Sequence, residues 1–427
     1  VKEERYRILY VEGEPRWEYK FMRRALAKDP SVELVSLLRV SQNKFYRQGV
    51  DSPEELEDGF PVKREDLFAY HALIIGSIEA ASFTPEQQLM IHDFVSERGG
   101  SLLMIAGLNG LGAGGWGNSM VSEALPARLS SSDSGLIRKR ARAVLTPAGL
   151  RTAMLKLSED ADENNRLWQG LPEIADYQPV GSLKPASVSL VNVIIDGSQH
   201  PLMVAQPYGN GHSYIFATGG TWRWQMSLPH QDQRHETFWR QFLRELVINS
   251  PGRFNLLTQV VADRIRINAE LRDKAFNPER ELRLTAVVSP EHGENMTIEL
   301  QPSPEYPGLM TGEFSADQSG LYSIEAISRR EDEPVDSARV AIHHDTGTAE
   351  YFSLRRNQTL LDQLAVATGG RSWSPADIDR LEEAIRYSPA GITERDLRPV
   401  WDAPLIFLLL ILLKATEWLL RRRWKTI

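Results

Sequence analysis

The sequence predicts an α/β domain with a parallel, doubly wound sheet, followed by an all-β sandwich and an apolar C-terminal helix. Three observations predict this order. Through about residue 250, short apolar runs alternate with helical patterns, which is typical of parallel sheets. Between residues 261 and 342, strand-like runs follow one another with no helix between them. Near the C-terminus, residues 405–413 are all apolar.

Composition narrows the possible functions. A chain of 427 residues suggests two to four domains, and its 42% hydrophobic and 25% charged residues are typical of globular proteins. The net charge is −8, and no basic stripe with interleaved aromatics occurs before the C-terminal tail, so we expect no nucleic-acid partner. The chain has 0 cysteines, which excludes disulfides, iron–sulfur clusters, thiolate metal sites and cysteine nucleophiles.

The first elements read as strand, turn and helix. Residues 7–11 form an apolar run that ends at a Glu-Gly-Glu-Pro turn, and a helical pattern with Trp17, Phe21 and Leu26 follows. Residues 34–38 predict a second strand and residues 71–76 a third. The polar, acidic stretch between them, residues 41–66, is predicted to be a loop.

The next helix has a clear start signal. Thr84 suits the N-cap, Pro85 the first helical position and Gln87 the capping box, and the helix should stop at Gly99. Residues 101–106 are apolar throughout, which indicates a central strand. Further strands are predicted at 143–145, 188–195, 201–205 and 213–217, the last two paired across a turn at residues 208–211, and a helix at 235–248 closes the domain.

The β-rich part is predicted to form a sandwich of about 85 residues. Its strands are expected at 265–271, 281–288, 296–301, 308–314, 320–328 and 338–343. Tyr322 suits a tyrosine corner, and a plain turn is the alternative. Short helices are predicted at 359–365 and 375–387. The domain boundaries are therefore 1–250, 255–345, 348–398 and 403–422.

The apolar C-terminal helix predicts a membrane anchor. Residues 404–420 would span about 25 Å, close to a hydrocarbon core of about 30 Å, and three arginines follow at 421–423. We expect the bacterial inner membrane, with most of the chain periplasmic and the C-terminus cytoplasmic. A buried core helix is the alternative. Because the chain starts at Val1 without a signal sequence, we expect a fragment of a longer multi-span protein, with membrane helices or envelope proteins as partners.

Several segments carry a family resemblance. Residues 8–19 (ILYVEGEPRWEY), 98–103 (RGGSLL), 221–224 (TWRW), 238–241 (FWRQ), 368–371 (TGGR) and 417–423 (EWLLRRR) are the segments concerned. Together they resemble bacterial membrane proteins with a class I glutamine-amidotransferase-like domain, of the kind associated with von Willebrand A-like envelope proteins. The resemblance implies a flavodoxin-like sheet, an immunoglobulin-like module and a transmembrane helix at the C-terminus.

The resemblance also locates the catalytic position, and the chain departs from the family's pattern there. Active class I amidotransferases place a cysteine on a sharp turn after the central strand, with a histidine beside it. Ala106 stands at about that position, and residues 216–221 (FATGGT) replace the family's His-Pro-Glu. Glutamine hydrolysis by a thiolate is therefore excluded, and we expect no catalytic residue of this type.

A ligand rim is predicted where open α/β sheets bind their ligands, at the carboxyl ends of the strands. Its candidate residues are Glu12, Glu14, Arg16, Trp17, Asn109, Trp222, Arg223 and Trp224. Internal ion pairs and packing are the alternative for the same residues. The glycine-rich loop at 107–117 either covers a ligand or is a mobile loop. The cluster at 230–236 (HQDQRHE) lacks a standard ligand spacing, so a solvated helix start is preferred, and no metal or cofactor is expected.

Two functions therefore remain. The first is a non-catalytic interaction or scaffold protein of the cell envelope. The alternative is a cysteine-independent hydrolase or small-ligand-binding domain that uses Glu12, Glu14, His212 or His230. Three titratable groups converging within hydrogen-bond distance at the rim would exclude the first function, and a filled apolar pocket would exclude the alternative.

Overall fold

The computed structural model describes residues 5–41, 44–130, 135–261, 264–279, 282–304, 306, 308–316, 318–330, 333–345, 358–374, 380–381 and 404–424. The chain divides into two compact units, Val1–Thr346 and Gly347–Ile427. The first unit contains all the described sheets, and each unit is considered by itself.

The first unit contains a nine-stranded mixed sheet, whose strands lie in the order β3-β2-β1-β4-β5-β11-β10-β9-β7. Strands β2, β1, β4, β5 and β11 run parallel, and the flanking strands are antiparallel. A separate two-stranded sheet pairs β6 with β8. The strands are β1 Tyr6–Glu12, β2 Val32–Ser41, β3 Lys44–Gln48, β4 Ala72–Ile75, β5 Ser101–Ile105, β6 Ala127–Arg128, β7 Arg142–Leu145, β8 Ser182–Leu183, β9 Val188–Ile195, β10 Ser198–Tyr208 and β11 Gly211–Phe216. The helices are α1 Trp17–Leu26, α2 Arg64–Phe68, α3 Pro85–Ser96, α4 Pro147–Arg151, α5 Ala161–Gln169, α6 Trp222–Ser227 and α7 Arg234–Ile248.

Local sequence explains the elements that carry this sheet. Strands β4 and β5 are buried at every position, which is why they are apolar throughout. The predicted capping box of α3 is confirmed, because the Thr84 hydroxyl accepts from the Gln87 amide and the Gln87 side chain accepts from the Thr84 amide. Gly209, at a left-handed φ of 57°, turns the chain between β10 and β11 as predicted.

The predicted loop at 41–66 is partly wrong. Residues 44–48 form an edge strand antiparallel to β2, and α2 begins at Arg64. None of the five residues of β3 is buried, and three of the five are polar. An edge strand without a buried face lacks the apolar alternation by which strands are recognised.

Two four-stranded sheets follow, in the orders β12-β13-β17-β16 and β15-β14-β18-β19. Their strands are β12 Phe254–Val261, β13 Arg264–Leu271, β14 Arg283–Pro290, β15 Met296–Glu299, β16 Gln301–Pro302, β17 Leu309–Ser315, β18 Gly320–Arg330 and β19 Glu333–His344. Buried and open positions alternate along β13, β14 and β18, so their apolar side chains share one core. The tyrosine corner is confirmed, since the Tyr322 hydroxyl donates to the Gln318 carbonyl at 2.8 Å.

The strand predicted at 296–301 is two strands. Strand β15 ends at Glu299 and pairs with β14, whereas β16 begins at Gln301 and pairs with β17 in the other sheet. The buried Leu300 lies between them. Because Leu300, where the chain passes from one sheet to the other, is apolar, the strand-like sequence pattern continues through it. The sequence alone therefore shows no break between the two strands.

A buried arginine joins the nine-stranded sheet to the segment that follows it. Arg98 is 2% exposed, and it donates to the Phe68 carbonyl, the Ser250 hydroxyl and the Pro251 carbonyl at 3.2, 2.7 and 2.9 Å. Its guanidinium also lies 4.3 Å from the ring centroid of Phe276. Burial lowers the pKa of Arg98 to about 9.

In the second unit the described helices are α8 Gln358–Ala367 and α9 Pro404–Arg423. The predicted helix at 375–387 lies outside the described residues, apart from residues 380 and 381.

The membrane-spanning helix predicted at 403–422 is not supported, and the predicted location at the bacterial inner membrane is wrong. Among the described stretches of chain, no helix is both long enough and apolar enough to cross a membrane. In α9 the unbroken apolar run ends at Leu413, and Lys414, Glu417 and Arg421 follow within the length that a hydrocarbon core of about 30 Å requires. The prediction that most of the chain is periplasmic and its C-terminus cytoplasmic depended on this helix, and it is wrong for the same reason.

Candidate functional site

The carboxyl edge of the parallel strands brings four of the predicted rim residues together. Glu12 ends β1, and Glu14 and Arg16 follow in the turn before α1. Asn109 lies in the loop after β5, and only β4 separates β5 from β1 in the sheet. Trp17, Trp222 and Arg223 lie beside this edge, at the starts of α1 and α6.

An ion pair occupies the centre of this edge. The Glu12 carboxylate is fully buried, and one of its oxygens accepts from Nε and Nη2 of Arg16 at 2.9 and 2.7 Å and from the Tyr10 hydroxyl. The other oxygen accepts from the backbone amides of Gly13 and Ser77 at 3.0 and 2.8 Å. The carboxylate is therefore held from both sides by groups of the protein itself.

The guanidinium of Arg16 reaches across two strands. Its Nη1 donates to the carbonyl of Ala106 at 2.5 Å, directly after β5. Burial lowers the pKa of Arg16, but the charge of Glu12 and its hydrogen bonds outweigh burial and raise that pKa above its ordinary value. Burial and the neighbouring Glu12 raise the pKa of Tyr10 well above its usual range. Arg16 is therefore charged and Tyr10 is neutral.

Three glycines leave the room that this side chain fills. A Cβ on Gly76 would lie 2.7 Å from Nη2 of Arg16, and one on Gly107 or Gly219 would lie 3.0 or 2.3 Å from Nη1. These glycines follow β4, β5 and β11, the three strands beside β1 on this side of the sheet. The space above the strand ends is thus shaped to hold a guanidinium.

Ala106, the predicted nucleophile position, lies beneath that guanidinium. It is 0% exposed, its amide donates to the Phe216 carbonyl at 2.9 Å, and its own carbonyl accepts from Arg16. Access to this position from the carboxyl edge is closed by Arg16.

Glu14, Ser77 and Asn109 form a second set of hydrogen bonds beside the ion pair of Glu12 and Arg16. One oxygen of Glu14 accepts from the Ser77 hydroxyl at 2.9 Å and from the Asn109 side chain at 2.8 Å. The Ser77 oxygen in turn accepts from the Asn109 amide at 2.9 Å, and Ser77 is fully buried. These contacts fix the start of the glycine-rich loop.

That loop is packed rather than open. Trp116 is fully buried, and its indole nitrogen donates to the Ile78 carbonyl at 2.8 Å. The Gly107 amide donates to the Gln178 side chain at 3.2 Å, and the Gln178 amide group donates to the Gly110 carbonyl at 3.0 Å. Of the two alternatives for this loop, its packing supports neither a mobile segment nor an empty cover over a ligand.

Aromatic and cationic side chains alternate on the outer surface beside the edge. The Trp17 and Trp222 rings lie 6.3 Å apart, with Lys20 5.0 Å from the Trp17 centroid and Arg223 4.4 Å from the Trp222 centroid. Arg223 also pairs with Asp176 at 3.1 Å. Trp17 is 55% exposed, so this surface can reach a ligand.

Trp224 does not belong to that surface. It is 1% exposed and packs against Trp168, Phe238 and His235 in the core. Helix α6 turns it inward, since Trp222 and Trp224 are two residues apart and so do not share a helix face.

A buried network next to the rim was missed by the sequence analysis. Glu18 accepts from the Thr221 hydroxyl and, at 3.1 Å, from the Trp222 amide. Thr221 also accepts from the indole of Trp239 at 3.0 Å and lies 3.1 Å from Nε2 of His235. While Glu18 is ionised and receives the Thr221 proton, the contact between Thr221 and His235 is a hydrogen bond only if Nε2 of His235 donates.

Burial shifts both titratable groups of this network. It raises the pKa of Glu18 to about 7, although the bonds from Thr221 and Trp222 act the other way. It lowers the pKa of His235 to about 3, and the charge of Arg24 adds to this effect. The signal for Glu18 was available, because it falls on the apolar face of α1 that carries Phe21, Met22 and Ala25.

The remaining candidate residues are scattered. His212 is the second residue of β11, at the opposite edge of the sheet, and His230 is exposed. Asp232 pairs with Arg234, and Glu236 pairs with Arg24 while lying in the first turn of α7. Over the described residues, no group of three His, Cys, Asp or Glu side chains is arranged to hold a metal.

Of two cavities, one lies away from the predicted rim residues and the other lies beside them. One of about 580 Å³ is lined by Arg7, Tyr70, Arg253 and an acidic segment at 54–66, and none of the predicted rim residues lines it. One of about 300 Å³ lies beside the rim, between Pro15, Trp17, Lys20 and Leu38.

The test set by the sequence has a mixed outcome. Three titratable groups, Tyr10, Glu12 and Arg16, do converge within hydrogen-bond distance, which is the arrangement expected to count against the first function. They bind one another, however, and so fill the pocket with an ion pair instead of an apolar side chain.

Comparison with known proteins agrees with the resemblance in part. A family model described as "Putative glutamine amidotransferase" matches residues 34–248. Two solved cytoplasmic proteins from Salmonella typhimurium, one from strain LT2, are similar at 19% and 15% identity. Each match covers 56% of this chain, with 99% and 98% of the other chains and TM-scores of 0.42 and 0.40. No curated protein matches.

Proposed function

Because the chain belongs to the glutamine-amidotransferase-like family, we propose that it is a member without glutaminase activity that acts as a binding module. The family's chemistry requires a thiolate, and the chain has 0 cysteines. Ala106 stands at the expected nucleophile position and is fully buried.

One observation carries this proposal: the guanidinium of Arg16 lies over Ala106 and is tied to Glu12. Any substrate that reached the strand ends would have to displace a buried ion pair. Removing one partner of such a pair costs about 3–5 kcal/mol, which a small amide substrate cannot readily offset. Gly76, Gly107 and Gly219 accommodate this filled state.

The alternative, a cysteine-independent hydrolase, has Ser77 and Glu14 as its best-placed groups. A serine nucleophile needs a base beside it and access to substrate. Ser77 does donate to Glu14 at 2.9 Å, but it is 0% exposed, and His212 and His230 lie elsewhere. This arrangement favours a structural role for Ser77.

A thiol probe tests whether the position is closed. Since the chain has 0 cysteines, Ala106→Cys introduces a single thiol whose reaction with a disulfide reagent reports access. We expect slow reaction in Ala106→Cys and much faster reaction when Arg16→Ala is added. Ala113→Cys, at an exposed position of the same loop, is the control and should react at once.

Glutamate release from glutamine by the full chain is the second measurement. We expect none above the rate without protein. Turnover that disappears in Glu14→Gln but persists in the exposed control Glu57→Gln would overturn the proposal, and so would rapid labelling of Ala106→Cys with Arg16 in place.

A further inference from the structure

The outer face of α1 is basic. Trp17, Lys20, Arg24 and Lys28 follow at intervals of three or four residues, so they lie along one face of the helix and its C-terminal extension. All four are exposed, and Arg23 is exposed beside them. The stripe from Lys20 to Lys28 is about 12 Å long at about 1.5 Å per residue.

Few of these charges are neutralised. In the described part of the chain, neither Lys20 nor Lys28 forms an ion pair with a carboxylate. Arg23 donates to the neutral side chain of Gln48 at 2.6 Å, and Arg24 pairs with Glu236. A surface with spare positive charge is notable on a chain whose net charge is −8.

The nearby carboxylates are already bound within the protein. Glu12 pairs with Arg16, Glu14 accepts from Ser77 and Asn109, and Glu18 is fully buried. Asp176 accepts from Thr218 and pairs with Arg223. The carboxylates at this edge therefore leave Lys20 uncompensated, and Asp29, next to Lys28, is paired with Arg244.

The exposed indole of Trp17 and the half-buried indole of Trp222 continue the basic face at its N-terminal end. Trp17 and Trp222 lie 6.3 Å apart, and Met226, on the same helix as Trp222, is 69% exposed. Tryptophan, arginine and methionine are enriched where proteins bind one another, and tryptophan and arginine supply much of the binding energy. The cavity of about 300 Å³ beside Trp17 is lined by apolar side chains and the cations Arg16 and Lys20.

We propose that this basic indole face (Trp17, Lys20, Arg23, Lys28, Trp222 and Arg223) binds an acidic segment of a partner protein. Trp17 and Trp222 anchor an apolar side chain of that segment, and Lys20 and Lys28 contact its carboxylates. The proposal rests on the proposed function as a binding module. A short peptide fits the stripe of about 12 Å, which is about four extended residues, whereas a long nucleic acid would continue onto a chain of net charge −8.

The test uses the full chain and a short fluorescein-labelled peptide of glutamates and leucines, followed by fluorescence anisotropy at low salt. We expect binding that weakens with added salt. Lys20→Glu with Lys28→Glu should weaken it at least about tenfold, or about 1.4 kcal/mol. The control, Arg140→Glu with Arg151→Glu, makes the same charge change at exposed positions elsewhere and should bind as the wild type does.

The anchors are tested separately with Trp17→Ala and Trp222→Ala. Both variants should weaken binding of the peptide of glutamates and leucines. Neither should change the binding of a peptide made of glutamates alone, because that peptide has no apolar side chain for the indoles to anchor. A single-stranded oligothymidine of equal charge serves as competitor.

Three results would overturn the docking face: no peptide binding, equal weakening in the Arg140 and Arg151 control, or tighter binding of the oligothymidine than of the peptide. None of them bears on glutamate release or on the thiol at position 106. Failure of this proposal and failure of the proposed function are therefore distinguishable.

Discussion

Replacing Arg16 by alanine removes the cation that Glu12 depends on. The change deletes two hydrogen bonds to one carboxylate oxygen, at 2.9 and 2.7 Å, and one to the Ala106 carbonyl. The carboxylate of Glu12 stays fully buried, so the variant would hold a charge without a counterion.

The expected loss follows from that burial. Breaking a buried ion pair by removing one partner costs about 3–5 kcal/mol. The Arg16 side chain is 14% exposed and that of Glu12 is 0% exposed, so solvent screens little of the interaction. We therefore expect Arg16→Ala to lower the free energy of unfolding by about 4 kcal/mol near neutral pH.

The loss should depend on pH with a defined sign. In the variant, the lone carboxyl group holds a proton more readily when folded and buried than when unfolded and solvated. The folded state then binds more protons than the unfolded state, so the stability of the variant rises as pH falls. The difference between wild type and variant should be largest at high pH and shrink in mild acid.

Urea unfolding followed by tryptophan fluorescence measures this difference. Six of the 10 tryptophans lie before residue 250 and none lies between 254 and 345, so the signal reports the α/β region. Glu12→Gln, Arg16→Met and the double variant complete a mutant cycle, and the pair should couple by at least about 1 kcal/mol. The assignment of a buried, ion-paired Glu12 would be refuted if Arg16→Ala lowered the free energy of unfolding by less than about 1 kcal/mol. It would also be refuted if the loss were equal at high pH and in mild acid.

Three further predictions concern other parts of the fold. Burial raises the pKa of Glu18 from 4.5 to about 7, so the wild type loses stability as pH rises through that window. Because glutamine does not titrate, the free energy of unfolding of Glu18→Gln, measured by urea unfolding, should rise by about 3 kcal/mol relative to wild type between mild acid and pH 8. Gly219→Ala would place a Cβ 2.3 Å from Nη1 of Arg16 and should cost about 1–3 kcal/mol in the same assay, whereas Gly135→Ala meets nothing within 4 Å and should be neutral. Tyr322→Phe removes the hydroxyl that donates to Gln318 and should cost about 1 kcal/mol, seen as a lower Tm of the sandwich by calorimetry.

The sequence predicted the position of the candidate site better than its internal arrangement. Glu12, Glu14, Arg16 and Asn109 follow parallel strands, and the carboxyl ends of parallel strands meet at one edge, so their proximity was predictable. That Arg16 spans to the carbonyl of Ala106 was not, because the contact joins residues 90 positions apart.

Pattern reasoning failed where burial and polarity disagree. Trp224 follows the partly exposed Trp222 and Arg223 in sequence, yet tertiary packing against Trp168 and Phe238 buries it. The strand at 44–48 has no buried face and gives no periodic signal. For α9, nine consecutive apolar residues predicted a membrane span, although Lys414 follows them directly and Glu417 lies three residues further on.

Arg98 has a practical consequence for where this chain can be divided. Its guanidinium is covered by Pro251 and by the ring of Phe276, which belongs with the core of the preceding sheet although it follows β13 in the chain. A fragment cut at residue 250, just after the end of α7, would uncover a cation that has no carboxylate partner among its hydrogen bonds. The smallest stable piece therefore extends past Phe276, so the limit of autonomous folding lies inside the β-rich region and not at its border.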